Sequence, residues 1–152
     1  MTACSRRLMS SVAAAMLVAA GLAGCSSEPP ATQPQQSGTV PVGTAKVSID
    51  GRDTSTTGTL SCHAIGTVTT LRSGNEDAGF TAVVSSDPAL VVQSVTISNL
   101  GDFTGSYHEG LGDSAKVTLV GRTYQLSGIA DGFDTTSPSF RTSGEFSLQA
   151  AC

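Results

Sequence analysis

AKVTLVGRTYQLSGI, residues 115–129, is the stretch of this sequence that decides its fold. Apolar and polar side chains alternate on both sides of Gly121-Arg122, which is typical of two antiparallel strands joined by a two-residue turn, with glycine where a positive φ is needed. Pairing across that turn places Leu119 opposite Tyr124 and Val117 opposite Leu126, so both strands put their large apolar side chains on one face. The stretch therefore predicts a β-hairpin with one buried face.

The chain from Lys46 onward shows the same period of two, in short runs broken by glycine, asparagine or aspartate. The apolar residues of the earlier runs are Val47 and Ile49; Leu60, Cys62 and Ala64; Val68 to Leu71; Phe80, Ala82 and Val84; Leu90 to Ile97; and Phe103 and Tyr107. The alternation slips at Val91-Val92, which indicates a β-bulge. We predict an all-β fold of about eight strands, either a small antiparallel sandwich or one strongly curved sheet.

Two cysteines lie in the predicted β-domain, Cys62 and Cys152. The last run places four residues on one face: Phe146, Leu148, Ala150 and Cys152. Since Cys62 shares a face with Leu60 and Ala64, both thiols are expected to point inward. In an oxidising compartment such a pair forms a disulfide by default, with two free thiols as the alternative. The bond would close a loop of about 90 residues, worth up to about 4.5 kcal/mol in the chain-entropy model.

Residues 1–24 are predicted to be a cleaved signal peptide. Arg6 and Arg7 supply a positive start, and the apolar run from Leu8 to Gly21 is shorter than the ~20 residues that span a bilayer. The run leads into Leu22-Ala23-Gly24-Cys25, which resembles the lipobox of bacterial lipoproteins. In such proteins the cysteine sulfur receives a diacylglycerol thioether, cleavage precedes that cysteine, and the freed amine takes a further acyl chain. The resemblance makes Cys25 the lipidation site, whereas an ordinary secretory cleavage would leave Cys25 incidental.

Residues 25–45 are expected to form a disordered tether between the lipid and a β-domain of residues 46–152. Between Ser26 and Thr44 the chain is rich in Pro, Gln, Ser, Thr and Gly and contains one acid. Such a segment cannot bury enough apolar surface to offset the entropy of ordering. Thr32, Ser37 and Thr39 are candidates for O-linked glycosylation, and simple solvation is the alternative.

Charge excludes one class of partner. The whole chain has a formal net charge of −4, and removal of residues 1–24 takes away two arginines, leaving 6 basic residues against 12 acidic ones and a net charge of −6. A protein that binds nucleic acid through the phosphates needs a basic surface. We therefore predict no nucleic-acid partner.

The residues that carry catalysis or bind metals are sparse. A metal site needs three or four converging ligands, and the chain offers only two histidines, His63 and His108, far apart in sequence. Asp131 and Asp134 share a glycine-containing loop, and we interpret them as turn formers. A weak calcium site is the alternative, although it would lack the regular ligand spacing of a calcium loop. No nucleophile-elbow pattern frames a serine. We predict no metal, no cofactor and no enzymatic activity.

Several segments together resemble the mycobacterial nineteen-kilodalton lipoprotein antigen (LpqH-like) family. In chain order they are Cys25 and the tether, Lys46 to Gly51, Gly58 to Cys62, Tyr124 to Asp131, and Glu145 to Cys152. The resemblance implies a lipoprotein of the cell envelope, held on the extracytoplasmic face of the membrane by its lipid. It also implies an acylated N-terminus that is an agonist of host Toll-like receptor 2, with roles in adhesion and ligand transport.

Two functions for the β-domain follow. In the first, the domain is an antigen and interaction module that meets host or envelope partners. In the second, the sheet encloses a cavity and carries a hydrophobic ligand such as a lipid. The core composition favours the first, because five Phe, two Tyr and modest aliphatic residues must fill the whole domain, which leaves little to support a large cavity.

Overall fold

The structure, a computed structural model, describes residues 38–54 and 59–152. The described residues form ten strands and no helix. The strands are Ala45–Ile49 (β1), Arg52–Thr54 (β2), Ser61–Ile65 (β3), Val68–Gly74 (β4), Gly79–Ser85 (β5), Val91–Leu100 (β6), Phe103–His108 (β7), Lys116–Val120 (β8), Thr123–Asp134 (β9) and Arg141–Ala151 (β10). Accordingly, no helix that could cross a membrane occurs in these two ranges.

All strands belong to one antiparallel sheet, in the order β2-β1-β10-β9-β7-β6-β5-β4-β3, with β8 paired to the first part of β9. The sheet is strongly curled, so that the segments leading into β3 and β1 come into contact. Leu60, just before β3, donates its backbone N–H to the carbonyl oxygen of Gly43, just before β1, at 3.1 Å. The all-β prediction is confirmed, and of its two arrangements the strongly curved sheet is the one observed.

The hairpin predicted at residues 115–129 is present. β8 and β9 pair with Val117 opposite Leu126 and Leu119 opposite Tyr124. Gly121 has a φ of 59° in the two-residue turn between them, where a residue with a Cβ would be disfavoured. The local sequence was sufficient here because the turn residue and the alternation of both strands require the same register.

The inner face of the curled sheet holds the core. Large side chains from five strands are almost fully buried there, among them Ile49, Leu71, Ile97, Leu126, Phe146 and Leu148. The rings of Tyr107 and Phe146 lie 6.2 Å apart between centroids and are tilted by 57°, a favourable aromatic geometry. The alternation that predicted the strands therefore separates a buried inner face from an outer face that is largely exposed.

A bulge interrupts the pairing of β5 with β6. Val83 lies opposite Ser94 and Val84 opposite Val92, so Gln93 is the extra residue. Its carbonyl oxygen instead accepts the backbone N–H of Glu109, at 2.9 Å. The slip in alternation at Val91-Val92 thus located a real bulge to within a residue or two.

Glycine permits close approach of β7 and β9. Gly105 and Gly132 are directly opposite each other. A Cβ on Gly132 would overlap the backbone carbonyl oxygen of Thr104, and one on Gly105 would lie 2.8 Å from that of Asp131. Only glycine fits where two backbones come this close.

Two details differ from what the sequence indicated: the number of strands and the burial of Cys62. About eight strands were predicted and ten are observed in the described residues; the polar strand β2, Arg52–Thr54, has no apolar alternation to reveal it. Cys62 does face inward as expected, because it lies opposite Leu71 of the inner face, but it is exposed, like every residue of β3. β3 is the last strand of the sheet and pairs only with β4, so no neighbouring layer covers it.

Candidate functional site

Most of the predicted modification sites lie outside the described residues. These are the lipobox residues Leu22, Ala23, Gly24 and Cys25, together with Thr32 and Ser37. Thr39 is described, and its side chain is partly buried. Lipidation and glycosylation therefore remain predictions from the sequence.

The segment that leads into the domain contacts the sheet before β1 begins. Gln125 of β9 donates its side-chain amide to the carbonyl oxygen of Gly38. Gly43 donates its backbone N–H to the carbonyl oxygen of Ala151 at 2.8 Å, and Ala151 in turn donates to that of Thr44 at 3.1 Å. Residues 38–44 are thus fixed at the end of the sheet where β10 finishes and β9 starts.

The Cys62–Cys152 disulfide is formed, with Cα atoms 6.0 Å apart. It joins the edge strand β3 to the residue that follows β10, which are far apart in the order of the sheet. Cys152 is also held by a backbone N–H donated to the carbonyl oxygen of Arg122 at 3.0 Å. The bond therefore fastens the curl of the sheet at its rim instead of lying in the core.

The two histidines are exposed, His63 on β3 and His108 at the end of β7. In residues 38–54 and 59–152 no three side chains of His, Cys, Asp or Glu come together as a metal site would require. Asp131 lies within β9 and not in the predicted loop; on the outer face of that strand its carboxylate accepts a hydrogen bond from the Ser143 hydroxyl at 2.7 Å.

Asp134 ends β9 and anchors the turn to β10. Hydrogen bonds from Thr136, first from its side-chain hydroxyl and then from its backbone N–H, hold the pKa of Asp134 below its ordinary value. The backbone N–H of Thr136 lies 2.7 Å from the Asp134 carboxylate. This is the behaviour of a turn-forming aspartate, as the sequence predicted.

A groove of about 620 Å³ crosses the outer face of the sheet. Its floor comes from outward side chains of β6, β7 and β9, including Thr96, Ser106 and Asp131. Two loops form its walls: the β7–β8 loop contributes Leu111, and the turn between β9 and β10 contributes Pro138. Its volume lies in the range of small-ligand sites.

Two smaller grooves continue it on either side. One shares Thr96 and Ser98 with the main groove and extends toward β4, reaching Arg72. The other shares Asp131 and Arg141 and extends onto β10. The main groove and the two smaller ones together form a trough that runs across the strands from β4 to β10, which we call the outer trough.

Comparison with known proteins gives the family. Residues 38–152 match the family model described as the Mycobacterium 19 kDa lipoprotein antigen. The chain belongs to that family. The resemblance found in the sequence is confirmed, and the matched range begins at Gly38, where the described part of the chain contacts the sheet.

Relatives in the 19 kDa lipoprotein antigen family are similar over almost their full length. The probable lipoprotein LppE of Mycobacterium tuberculosis is 33% identical over 147 residues, which cover 96% of this chain and 98% of that protein. Lipoprotein LpqH of Mycobacterium bovis is 31% identical over 156 residues, covering 97% and 98%. A putative lipoprotein of Mycobacterium indicus pranii is 32% identical over 142 residues, covering 92% and 95%. The family places this chain among membrane-anchored envelope lipoproteins.

The outer trough of this member of the 19 kDa antigen family was not predicted from the sequence. Its signal was present: in the strand runs, threonine and serine repeatedly occupy the positions between the buried apolar residues, as in Thr81, Thr96 and Ser106. Alternation shows that these residues face outward. It does not show that they lie side by side across strands.

Proposed function

We propose that this protein is a cell-surface lipoprotein antigen, held on the extracytoplasmic face of the membrane by diacylglycerol and a further acyl chain on Cys25. Two acyl chains suffice for stable anchoring, because each buried methylene contributes ~0.8 kcal/mol and one chain alone is marginal. The observation that carries the proposal is the sequence Leu22-Ala23-Gly24-Cys25 directly after an apolar run. Similarity to LpqH covers 97% of the chain, so it extends through this region.

The lipidated N-terminus is proposed to be an agonist of host Toll-like receptor 2. Acyl chains on Cys25 would be the recognised groups, and the β-domain would hold them at the end of a tether. The β-domain itself would contribute no catalysis and would act in adhesion and envelope interactions. The family to which the chain belongs is described as a lipoprotein antigen and not as an enzyme.

Transport of a hydrophobic ligand is less well supported. A lipid carrier needs an apolar cavity, and the inner face of the sheet is the apolar face here. That face is filled by its own side chains, since Phe146, Leu148 and Leu126 are each no more than 1% exposed. Binding a lipid there would require displacing a packed core.

Replacing Cys25 tests the anchor and the receptor activity together. We expect Cys25→Ala to abolish incorporation of labelled fatty acid, to release the protein from the membrane fraction, and to remove activation of a Toll-like receptor 2 reporter cell. The matched control is Cys4→Ala, which changes a cysteine of the predicted signal peptide and should leave all three readouts unchanged. Full reporter activation by purified, lipid-free Cys25→Ala protein would contradict the proposal.

A further inference from the structure

The outer face carries one row of polar side chains that crosses six neighbouring strands. The strand register sets the members of the row directly opposite one another: Arg72, Thr81, Thr96, Ser106, Asp131 and Ser143. Each member follows or precedes a buried inner-face residue, so all six point outward. Neighbouring strands lie about 4.8 Å apart, so the row presents a polar group at that spacing over roughly 24 Å.

A second row of outward side chains lies beside the first and includes one aromatic ring. Thr104, Phe133 and Arg141 are opposite one another on β7, β9 and β10. Phe133 is partly buried and lies in the same groove as Leu111 and Pro138. Hydroxyl side chains are common on the wet face of a sheet. This face differs because two loops rise beside it and turn it into a trough.

Charge in the outer trough is balanced. Its lining includes two arginines, Arg72 and Arg141, and two acids, Glu76 and Asp131. The mature protein as a whole carries a net charge of −6, so the trough is the less acidic part of an acidic molecule. A polyanion would find no net attraction in a site whose charges cancel.

The hydroxyl side chains that line the outer trough indicate which kind of uncharged polymer would bind there. Hydroxyls both donate and accept hydrogen bonds, so a row of them fits a ligand that itself carries many hydroxyls. An extended peptide binds best to a free strand edge, through its backbone, whereas the strands beneath the trough are already paired on both sides. Phe133, Leu111 and Pro138 offer apolar contact to the C–H faces of sugar rings.

We propose that the outer trough binds a linear, neutral oligosaccharide laid across the strands. Thr96, Ser106 and Asp131 hydrogen-bond its hydroxyls, and Phe133 packs beneath one ring. The site is independent of the lipid on Cys25 and would give the β-domain a ligand of its own. Either a glycan of the bacterial envelope or a glycan of a host cell has this chemistry.

Titration of ¹⁵N-labelled full-length protein in detergent tests the proposal. The probes are mannohexaose, neutral hexasaccharides released from the bacterium's own wall, and a heparin hexasaccharide as the anionic comparison. We expect at least one neutral probe to shift the amide signals of Thr96, Ser106 and Asp131. Binding of the wall fragments alone would indicate an envelope ligand, and binding of mannohexaose would indicate a host-type glycan.

Variants separate the trough from the rest of the outer face. Thr96→Val combined with Ser106→Ala should weaken binding about tenfold or more, because polar groups of the bound sugar lose their partners. Asp131→Asn keeps the size of the side chain and tests the carboxylate. Thr118→Val is the matched control, since Thr118 is an exposed outward residue of β8 that lies outside the trough.

Three results would overturn the proposal. They are no response of the trough amides to any neutral hexasaccharide, binding of heparin alone, and an equal loss of affinity in Thr118→Val. Thermal unfolding of each variant checks that it is folded. Because the Cys25→Ala assay reads membrane retention and receptor activation, failure of sugar binding would leave the lipoprotein proposal standing.

Discussion

Single residues decide how tightly this sheet can curl. Gly132 has no side chain where β9 passes the Thr104 carbonyl oxygen, and Gly144 leaves room for the Phe103 ring, which would lie 3.2 Å from an added Cβ. An added Cβ would therefore meet backbone atoms at Gly132 and a side-chain ring at Gly144. Backbone paired in a ladder on both sides has little freedom to move aside, so Gly132 is the stricter requirement.

Gly132→Ala is therefore expected to lower the free energy of unfolding by about 2–3 kcal/mol or more, because the added methyl overlaps paired backbone. Urea denaturation of the two purified proteins measures the difference. Gly66→Asn is the control: Gly66 has a φ of 60° with open space around its Cβ position, and asparagine tolerates that conformation. A Gly132→Ala protein as stable as the control variant would show that the close approach is not needed.

Strand β3 is the element whose role the sequence least revealed. It pairs on one side only, all of its residues are exposed, and Ile65 at its end is 70% exposed. Packing therefore contributes little to hold it. Besides its pairing with β4, β3 is held at the rim by the disulfide to Cys152 and by the hydrogen bond from Leu60 to Gly43.

Removing the disulfide with Cys62→Ala and Cys152→Ala should lower the free energy of unfolding by about 2–4 kcal/mol. Its two cysteines are separated by 90 residues, so the unfolded chain gains considerable freedom when the link is lost. Hydrogen exchange should accelerate most in β3 and least in the central pair β9 and β10. A reducing agent should destabilise the natural protein equally and leave the double variant unchanged; an unaltered urea midpoint in the double variant would contradict this role.

The β-sheet as a whole presents two faces of different chemistry. The inner face is apolar and filled, while the outer face is polar and carries the trough. A ligand can reach the outer face without disturbing the fold, whereas an apolar ligand on the inner face must replace core contacts. The sheet is thus a scaffold whose free surface is its outer one.

Native mass spectrometry of protein purified from its own host tests whether the inner face is filled by the protein's own side chains or holds an apolar ligand. We expect the mass of the polypeptide with its covalent lipid and no non-covalent apolar adduct, because the core side chains occupy the inner face. A retained lipid that dissociates on collisional activation would instead favour the carrier function.

The sequence by itself determined the features that depend on near neighbours. The alternation from Lys46 onward predicted the strands other than β2, and Gly121-Arg122 predicted the turn and register of the hairpin. Leu22 to Cys25 predict the lipid anchor, which lies outside the described residues. Each of these depends on residues only a few positions apart, so the alternation of a strand or a cleavage motif can be recognised from the local sequence alone.

Tertiary structure alone decided the curl of the sheet, the exposed position of Cys62 and the outer trough. Arg72, Thr96 and Asp131 come from strands far apart in the chain, and only the order of those strands in the sheet places them in one row. Alternation assigns a residue to a face but does not specify its neighbour on the next strand. That neighbour is fixed by register between distant strands and by the curl that their glycines permit.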